Sequence, residues 1–338
     1  YTNGFKTNRD AWIYNYQKEE LAKNMRNMIG EYNRQIDVGE LSRDRKKISW
    51  DGTLEADFKK KKRVMFDEKA ISTSIYRPYT KKWFYYDGMM INSTYQMPRI
   101  FPTPETKNLL ICVPGVGVKK DFSCLITNRM TDLEIVGKSQ CFPLYWYEDR
   151  SDIRAKNKQK SLLEDAPSMV RHDGVSDYAL KNVRSKYGPG LTKEDIFYYV
   201  YGYLHSPEYG ATFSNDLKLS LPKIGFVDSS EDFKHFVQAG RDLADIHLNY
   251  EDVEPPRTVK LSGDLSIEDA IGKPDICRVN KMKLVPEEGK LIYNQYITIE
   301  NIPEEAFEYT VNGRTALGWL VDQYQYSVDK GSQIVNDP

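Results

Sequence analysis

The stretch Ile75–Pro102, IYRPYTKKWFYYDGMMINSTYQMPRIFP, constrains what this chain can fold into more than any other part of it. Arg77, Lys81, Lys82 and Arg99 are interleaved with Tyr76, Tyr79, Trp83, Phe84, Tyr85, Tyr86 and Tyr95, and with the amides Asn92 and Gln96. Aromatic residues at this density, bounded by turn residues, read as strands. One reading is an aromatic strand pair in a β-rich core, with Lys on its solvent face. The other is a nucleic-acid surface. Cations neutralise phosphates, aromatic faces and Arg planes stack on bases, and amides read base edges through paired hydrogen bonds.

Charge distribution favours the second reading. The chain is nearly neutral, with 48 Lys and Arg against 49 Asp and Glu. Residues 43–160, however, hold 24 basic and 14 acidic side chains, whereas residues 161–338 hold 18 and 29. A basic middle raises anion affinity locally, while an acidic remainder keeps the chain off non-specific polyanions. The densest runs, Arg43–Lys47 and Lys59–Arg63, flank the aromatic segment on one side. A charge run by itself is ordinarily a solvated face. Lys59, Lys60, Lys61 and Lys62 are candidates for phosphate contact because of their neighbours.

A length of 338 residues allows one large or two medium domains, and 12% aromatic residues can build a sizeable core. Mean hydropathy of −0.63 and the lack of any long apolar run argue against a membrane protein. The chain opens on Tyr1 without Met or a signal peptide, which reads as a piece of something longer. Cys112, Cys124, Cys141 and Cys277 are widely spaced and form no CxxC pair. They are expected to be reduced thiols of a cytoplasmic protein, not a disulfide frame or a zinc site.

Residues 18–35 place Leu21, Met25, Met28, Ile29 and Tyr32 at helical spacing, which predicts an amphipathic helix. Residues 37–57 read as a polar linker, and Val64–Tyr147 as short strands broken by Pro, Gly and Asn. Glu148–Leu162 is a charged insertion without periodicity; its Arg150, Arg154, Lys156, Lys158 and Lys160 suit a loop closing over a polyanion. The acidic part is more helical. Thr192 with Asp195 forms a capping box ahead of the apolar Ile196–Leu204, and Ser229 with Asp232 starts another helix running to His247. Residues 257–300 read as short strands with a hairpin turn at Pro286–Gly289. A last helix is expected from Pro303 through Trp319 to Tyr324.

Catalytic signatures are mostly missing from the sequence. Gly115-Val-Gly117-Val-Lys119-Lys120 fits neither GxGxxG nor the GxxxxGK[ST] phosphate loop, so a turn between strands explains it better. His172, His205, His235 and His247 are not spaced as metal ligands, and His205 and His247 suit helix-end caps. Pro274-Asp275 followed by Glu288-Gly289-Lys290 matches the PD…ExK pattern of metal-dependent nucleases. That pattern recurs readily in a chain so rich in carboxylates, and a hairpin turn at 286–289 would point Glu288 and Lys290 to solvent. No catalytic residue, metal ligand or cofactor is therefore expected in this chain.

Several strings together resemble the C-terminal target-recognition region of type ISP restriction–modification enzymes, single polypeptides that join nuclease, translocase, adenine methyltransferase and DNA-specificity parts. They include TNGFKTNRDAWIYNY (2–16), YRPYTKKWFYYD (76–87), YQMPRIFP (95–102), QCFPLYWY (140–147), TKEDIFYYVYGYLHSPEY (192–209), LPKIGF (221–226), DLADIHLNYE (242–251) and IPEEAFEYTVNGRTALGWLVDQYQ (302–325). The resemblance spans nearly the whole chain. It implies a methyltransferase core before Tyr1, consistent with the lack of an NPPY-type tetrapeptide here, and no enzymatic activity of this piece alone. S-adenosylmethionine, ATP and Mg²⁺ would serve those upstream parts.

The combined reading is an α+β chain: a β-rich DNA-recognition half followed by a mostly helical supporting half. Residues 1–40 would be the end of the methyltransferase core and a linker helix, 41–160 the basic recognition half, and 161–338 the acidic support with short strands at 257–300. Its partners would be double-stranded DNA and the upstream methyltransferase, without a membrane. Arg77, Lys81, Lys82, Asn92, Tyr95, Gln96 and Arg99, with Lys119 and Lys120 on the next turn, are the candidate base readers. Tyr76 and Trp83 are expected to pack. The alternatives are a nuclease built on Asp275, Glu288 and Lys290, and a docking module that touches no base.

Overall fold

A computed structural model describes residues 1–150, 168–263 and 273–338. Arg154, Lys156, Lys158 and Lys160 of the charged insertion lie outside the described residues, as does the side chain of Asp275. The fold is α+β, with antiparallel sheets and helices distributed over two compact units. One unit comprises residues 1–4 and 95–251, the other residues 5–94 and 252–338. The chain thus passes between units inside the aromatic segment, and the charge-based halves at 41–160 and 161–338 are a different division.

In the first unit, a four-stranded antiparallel sheet runs in the order Thr2–Asn3, Gln140–Pro143, Leu110–Val113, Leu125–Thr127. Leu110–Val113 is buried at all four positions, as a continuous apolar run on a central strand requires. Its Cys112 faces Cys141 of the neighbouring strand, both free thiols with sulfurs 3.4 Å apart, and this mutual contact, with burial, pushes the Cys112 thiol up. Ile111, Val113 and Ile126 share a core with Phe197, Tyr201 and Leu204 of the helix Lys193–Leu204 and with Ala244 of the helix Ser230–Leu248. A further antiparallel pair, Tyr145–Asp149 with Met169–Asp173, completes the strands of this unit.

The helices start where the sequence signals them. Thr192 accepts from the Asp195 amide while Asp195 accepts from Thr192, closing the capping box, and Ser229 accepts from the Asp232 amide. Helices 193–204 and 230–248 cross at glycines: a Cβ on Gly202 would lie 2.4 Å from the Phe236 carbonyl oxygen, and one on Gly240 2.0 Å from that of Tyr198. Only a residue without a Cβ permits this approach. Beside the crossing, Phe233 stacks on Tyr187 and on Tyr199, with ring centroids 4.4 Å apart in each pair.

In the second unit the helix Lys18–Val38 buries Leu21, Met25, Met28, Ile29 and Tyr32, the five positions its periodicity selects, and ends on Gly39 in a left-handed conformation. A three-stranded sheet runs Tyr14–Asn15, Thr80–Tyr85, Ile71–Arg77, and a four-stranded one runs Lys260–Gly263, Ile297–Glu300, Lys290–Ile292, Lys283–Val285. The hairpin at Pro286–Gly289 is present, with Gly289 left-handed.

Two expectations need correction. The polar linker contains a helix, Gly52–Lys59, which Asp51 caps by accepting from the Leu54 amide. Its apolar anchors are few, namely buried Leu54 and the edge contacts of Phe58 with Tyr32 and Trp50, so no periodicity announced it. The last helix is interrupted. Glu305–Glu308 and Ala316–Gln323 flank a hairpin of Thr310–Val311 with Arg314–Thr315. Asn312 and Gly313 both take positive φ, at 53° and 72°, the geometry an Asn-Gly hairpin turn demands, and it overrides the helical pattern around it. No helix among the described residues is long and apolar enough to cross a membrane.

Candidate nucleic-acid interface

The hairpin Ile71–Tyr85 carries the cationic half of the aromatic segment. It turns at Pro78-Tyr79, with Tyr79 at φ 53°. Lys82 shares the buried face of its strand with Thr80 and Phe84. Its ammonium lies 4.4 Å from the ring centroids of both Tyr16 and Tyr76. Burial first, and then the nearby Arg77, push its pKa down to about 8. Arg77 stacks on Tyr76 at 3.9 Å, donates to the Tyr76 carbonyl at 2.7 Å and lies 3.6 Å from the Asp10 carboxylate. Lys81 is half-buried on the other face. Trp83 receives Lys18 at 5.6 Å, and Tyr76 packs on Tyr14 and donates to Asp10.

The remaining candidates of this unit divide into engaged and exposed. Asn92 donates to Asp51 and to Thr53, both at 3.2 Å, and so helps fix the start of the helix 52–59. Asp51 also pairs at 2.6 Å with Arg9, whose guanidinium is buried. Lys59 ends that helix, Lys60 caps it and Lys61 takes φ 54°, all exposed. Lys62 pairs with Asp57 at 2.7 Å. Part of the surrounding positive charge is neutralised too, as Arg43 pairs with Glu55 and Arg63 with Asp37.

In the other unit, Tyr95, Gln96, Arg99, Lys119 and Lys120 are all exposed. Tyr95 takes φ 48°, and the Gln96 amide N–H donates to the Thr2 hydroxyl at 2.9 Å, which holds the start of the short helix Met97–Ile100. Lys119 and Lys120 project from the turn between strands 110–113 and 125–127, where Gly115 packs against the Lys138 carbonyl and Gly117 takes φ 82°. This is the expected strand-connecting turn.

Gln96 and Arg99 open onto a cavity of about 280 Å³ that is otherwise lined by Tyr1, Ile100, Phe142 and Trp146, with Pro143 and Gly174. The Arg99 guanidinium lies 4.8 Å from the Trp146 ring centroid and 3.9 Å from Glu148. His172 stacks on Trp146 at 4.1 Å from the partner strand and lies 3.6 Å from Glu148. Sequence reasoning missed this cavity. Its signal was the string QCFPLYWY, which contributes both Phe142 and Trp146. Among the described residues, no group of three or more His, Cys, Asp or Glu side chains is placed to hold a metal ion. Glu288 and Lys290 form an ion pair with each other at 3.1 Å across their hairpin.

An α+β domain that sets exposed cations and an amide beside aromatic rings has the make-up of a recognition module. The family model of the type ISP C-terminal specificity domain matches residues 1–338, and the chain belongs to that family. Three solved structures are similar. The type ISP restriction–modification enzyme LlaBIII bound to DNA is 34% identical, with a TM-score of 0.84 over 100% of this chain and 21% of its own. A nuclease-deletion mutant of the type ISP enzyme LlaGI, in complex with a DNA substrate mimic, is 32% identical with a TM-score of 0.82 over 100% of this chain and 29% of its own. A DrdV–DNA complex is 27% identical with a TM-score of 0.82 over 98% of this chain and 32% of its own. The chain therefore spans about a third or less of those proteins. A comparison with curated protein sequences finds no match.

Proposed function

We propose that this domain recognises a specific double-stranded DNA sequence and thereby directs an adenine methyltransferase in the same polypeptide. The observation that carries this is the likeness, over the whole of this chain, to type ISP enzymes whose structures contain DNA. In this reading Gln96 and Arg99 read bases, because both are exposed and their neighbours form a shaped site. The exposed Lys59, Lys60, Lys61, Lys119 and Lys120 contact phosphates, and Lys62, Arg77, Lys81, Lys82, Asn92 and Tyr95 support those contacts, each within its own unit. Residues 161–338 act as support. A nuclease and a translocase belong to the parent enzyme, which works in the cytoplasm with S-adenosylmethionine, ATP and Mg²⁺.

The test is to substitute Gln96 and Arg99 singly to Ala in the full-length enzyme and to map methylated adenines in host DNA. A base-reading contact is worth about 1–3 kcal/mol of discrimination. Relaxed preference at one base pair, with overall affinity largely kept, is the expected result. A uniform loss across all sequences would demote the residue to a phosphate contact. Equal binding of a methylation-site duplex and a scrambled one would overturn the recognition reading and leave a docking module.

A further inference from the structure

We propose that the cavity between Trp146, Phe142 and Gln96 takes a single nucleobase unstacked from the DNA. The inference rests on the DNA-binding reading above and names what this part of the interface holds. Three properties of the cavity select such a ligand. Its walls are largely aromatic: Trp146 and Phe142 line it, and the Tyr1 ring packs on Phe142 at 5.7 Å. Aromatic walls of this kind favour a flat π-system over an aliphatic chain.

Few polar side chains line it. Gln96 is exposed, and its side-chain amide has no protein partner among the described residues, so it offers a donor and an acceptor side by side to an incoming edge. Arg99 adds the donors of its guanidinium at the same rim. A phosphate or carboxylate is disfavoured, because Glu148 already lies 3.9 Å from Arg99 and 3.6 Å from His172 and offsets positive charge there. A neutral planar heterocycle with adjacent donors and acceptors satisfies both the walls and the amide.

The walls are also held in place before any ligand arrives. Trp146 is stacked on His172 at an interplanar angle of 15°, and Arg99 lies against the same ring. Gly174 also lines the site. A Cβ there would lie 1.9 Å from the Pro143 carbonyl oxygen, and its N–H donates to Leu144 at 2.7 Å. A pre-formed slot loses little side-chain entropy when it is filled.

The experiment compares binding of the 338-residue chain to a short duplex carrying one unpaired adenine with binding to the same duplex fully paired. An unpaired base avoids most of the cost of leaving the stack. The expected result is tighter binding of the unpaired form by about five- to a hundredfold. Gln96→Ala reduces that preference, Trp146→Leu removes it and Trp146→Phe keeps most of it. Should Trp146→Leu fail to fold, Gln96→Ala, on an exposed side chain, decides the matter. Equal binding of both duplexes overturns this inference alone, as does a preference untouched by Gln96→Ala. Binding of neither duplex overturns the DNA reading as well.

Discussion

Lys82 and Asn92 illustrate how much of a site one residue can hide. Both have the chemistry of base readers, and both are engaged within the fold, Lys82 between two tyrosine rings and Asn92 at a helix start. Strand alternation could not show which face of Thr80–Tyr85 is covered, because aromatic residues and cations occupy both. The Lys82 placement has a measurable consequence. Its folded-state pKa of about 8 lies below its ordinary 10.5, so between those values the unfolded chain binds more protons. Stability attributable to Lys82 is therefore full above pH 10.5 and is lost as pH falls through 8. Urea unfolding of the native chain and of Lys82→Met across this range should show the native chain gaining on the order of 2–3 kcal/mol relative to the variant as pH rises. Parallel pH profiles would mean that Lys82 reaches solvent.

At the scale of elements, the sequence spoke where local and tertiary demands coincide. The helix 18–38, the capping box at Thr192 and the hairpin at 286–289 were legible because periodicity, caps and turn residues agree there. The helix 52–59 and the Asn312-Gly313 hairpin were not, since the first has one buried apolar residue and the second sits inside a longer helix-like pattern. The cavity was illegible for another reason: residues 96–100, 142–146 and 174 meet only through strand pairing and a helix distant in sequence. Helical glycines give a sharp test of the packing. Gly30 lies in helix 18–38 with nothing within 4 Å of a Cβ, whereas one on Gly240 would meet the Tyr198 carbonyl at 2.0 Å. Gly30→Ala should stabilise by about 0.5–1 kcal/mol through the unfolded chain. Gly240→Ala should destabilise by about 1–3 kcal/mol, because two helices must move apart. Chemical denaturation reads both, and the same sign for the pair would mean that the crossing at Gly202 and Gly240 is looser than described.

For the whole molecule, the near-zero net charge is the sum of a basic middle and an acidic end, and the difference between them governs how it meets a polyanion. Ion pairing within the fold trims the positive surplus unevenly. Arg43, Lys62 and Arg63 already face carboxylates, whereas Lys59, Lys60 and Lys61 project from the end of a short helix without an ion pair among the described residues. Each phosphate contact adds about one unit to the slope of log affinity against log salt, through counterion release. Replacing Lys59, Lys60 and Lys61 together with Ala should therefore flatten that slope by up to about three units and weaken binding alike on specific and scrambled duplexes. Lys62→Ala alone should change it little, since its ammonium is held by Asp57 at 2.7 Å. These side chains are exposed, so thermal stability should stay within a degree or two, which separates lost contacts from lost fold. A slope unchanged in the triple variant would show that the run is a solvated face, and would leave phosphate contact to Lys119 and Lys120.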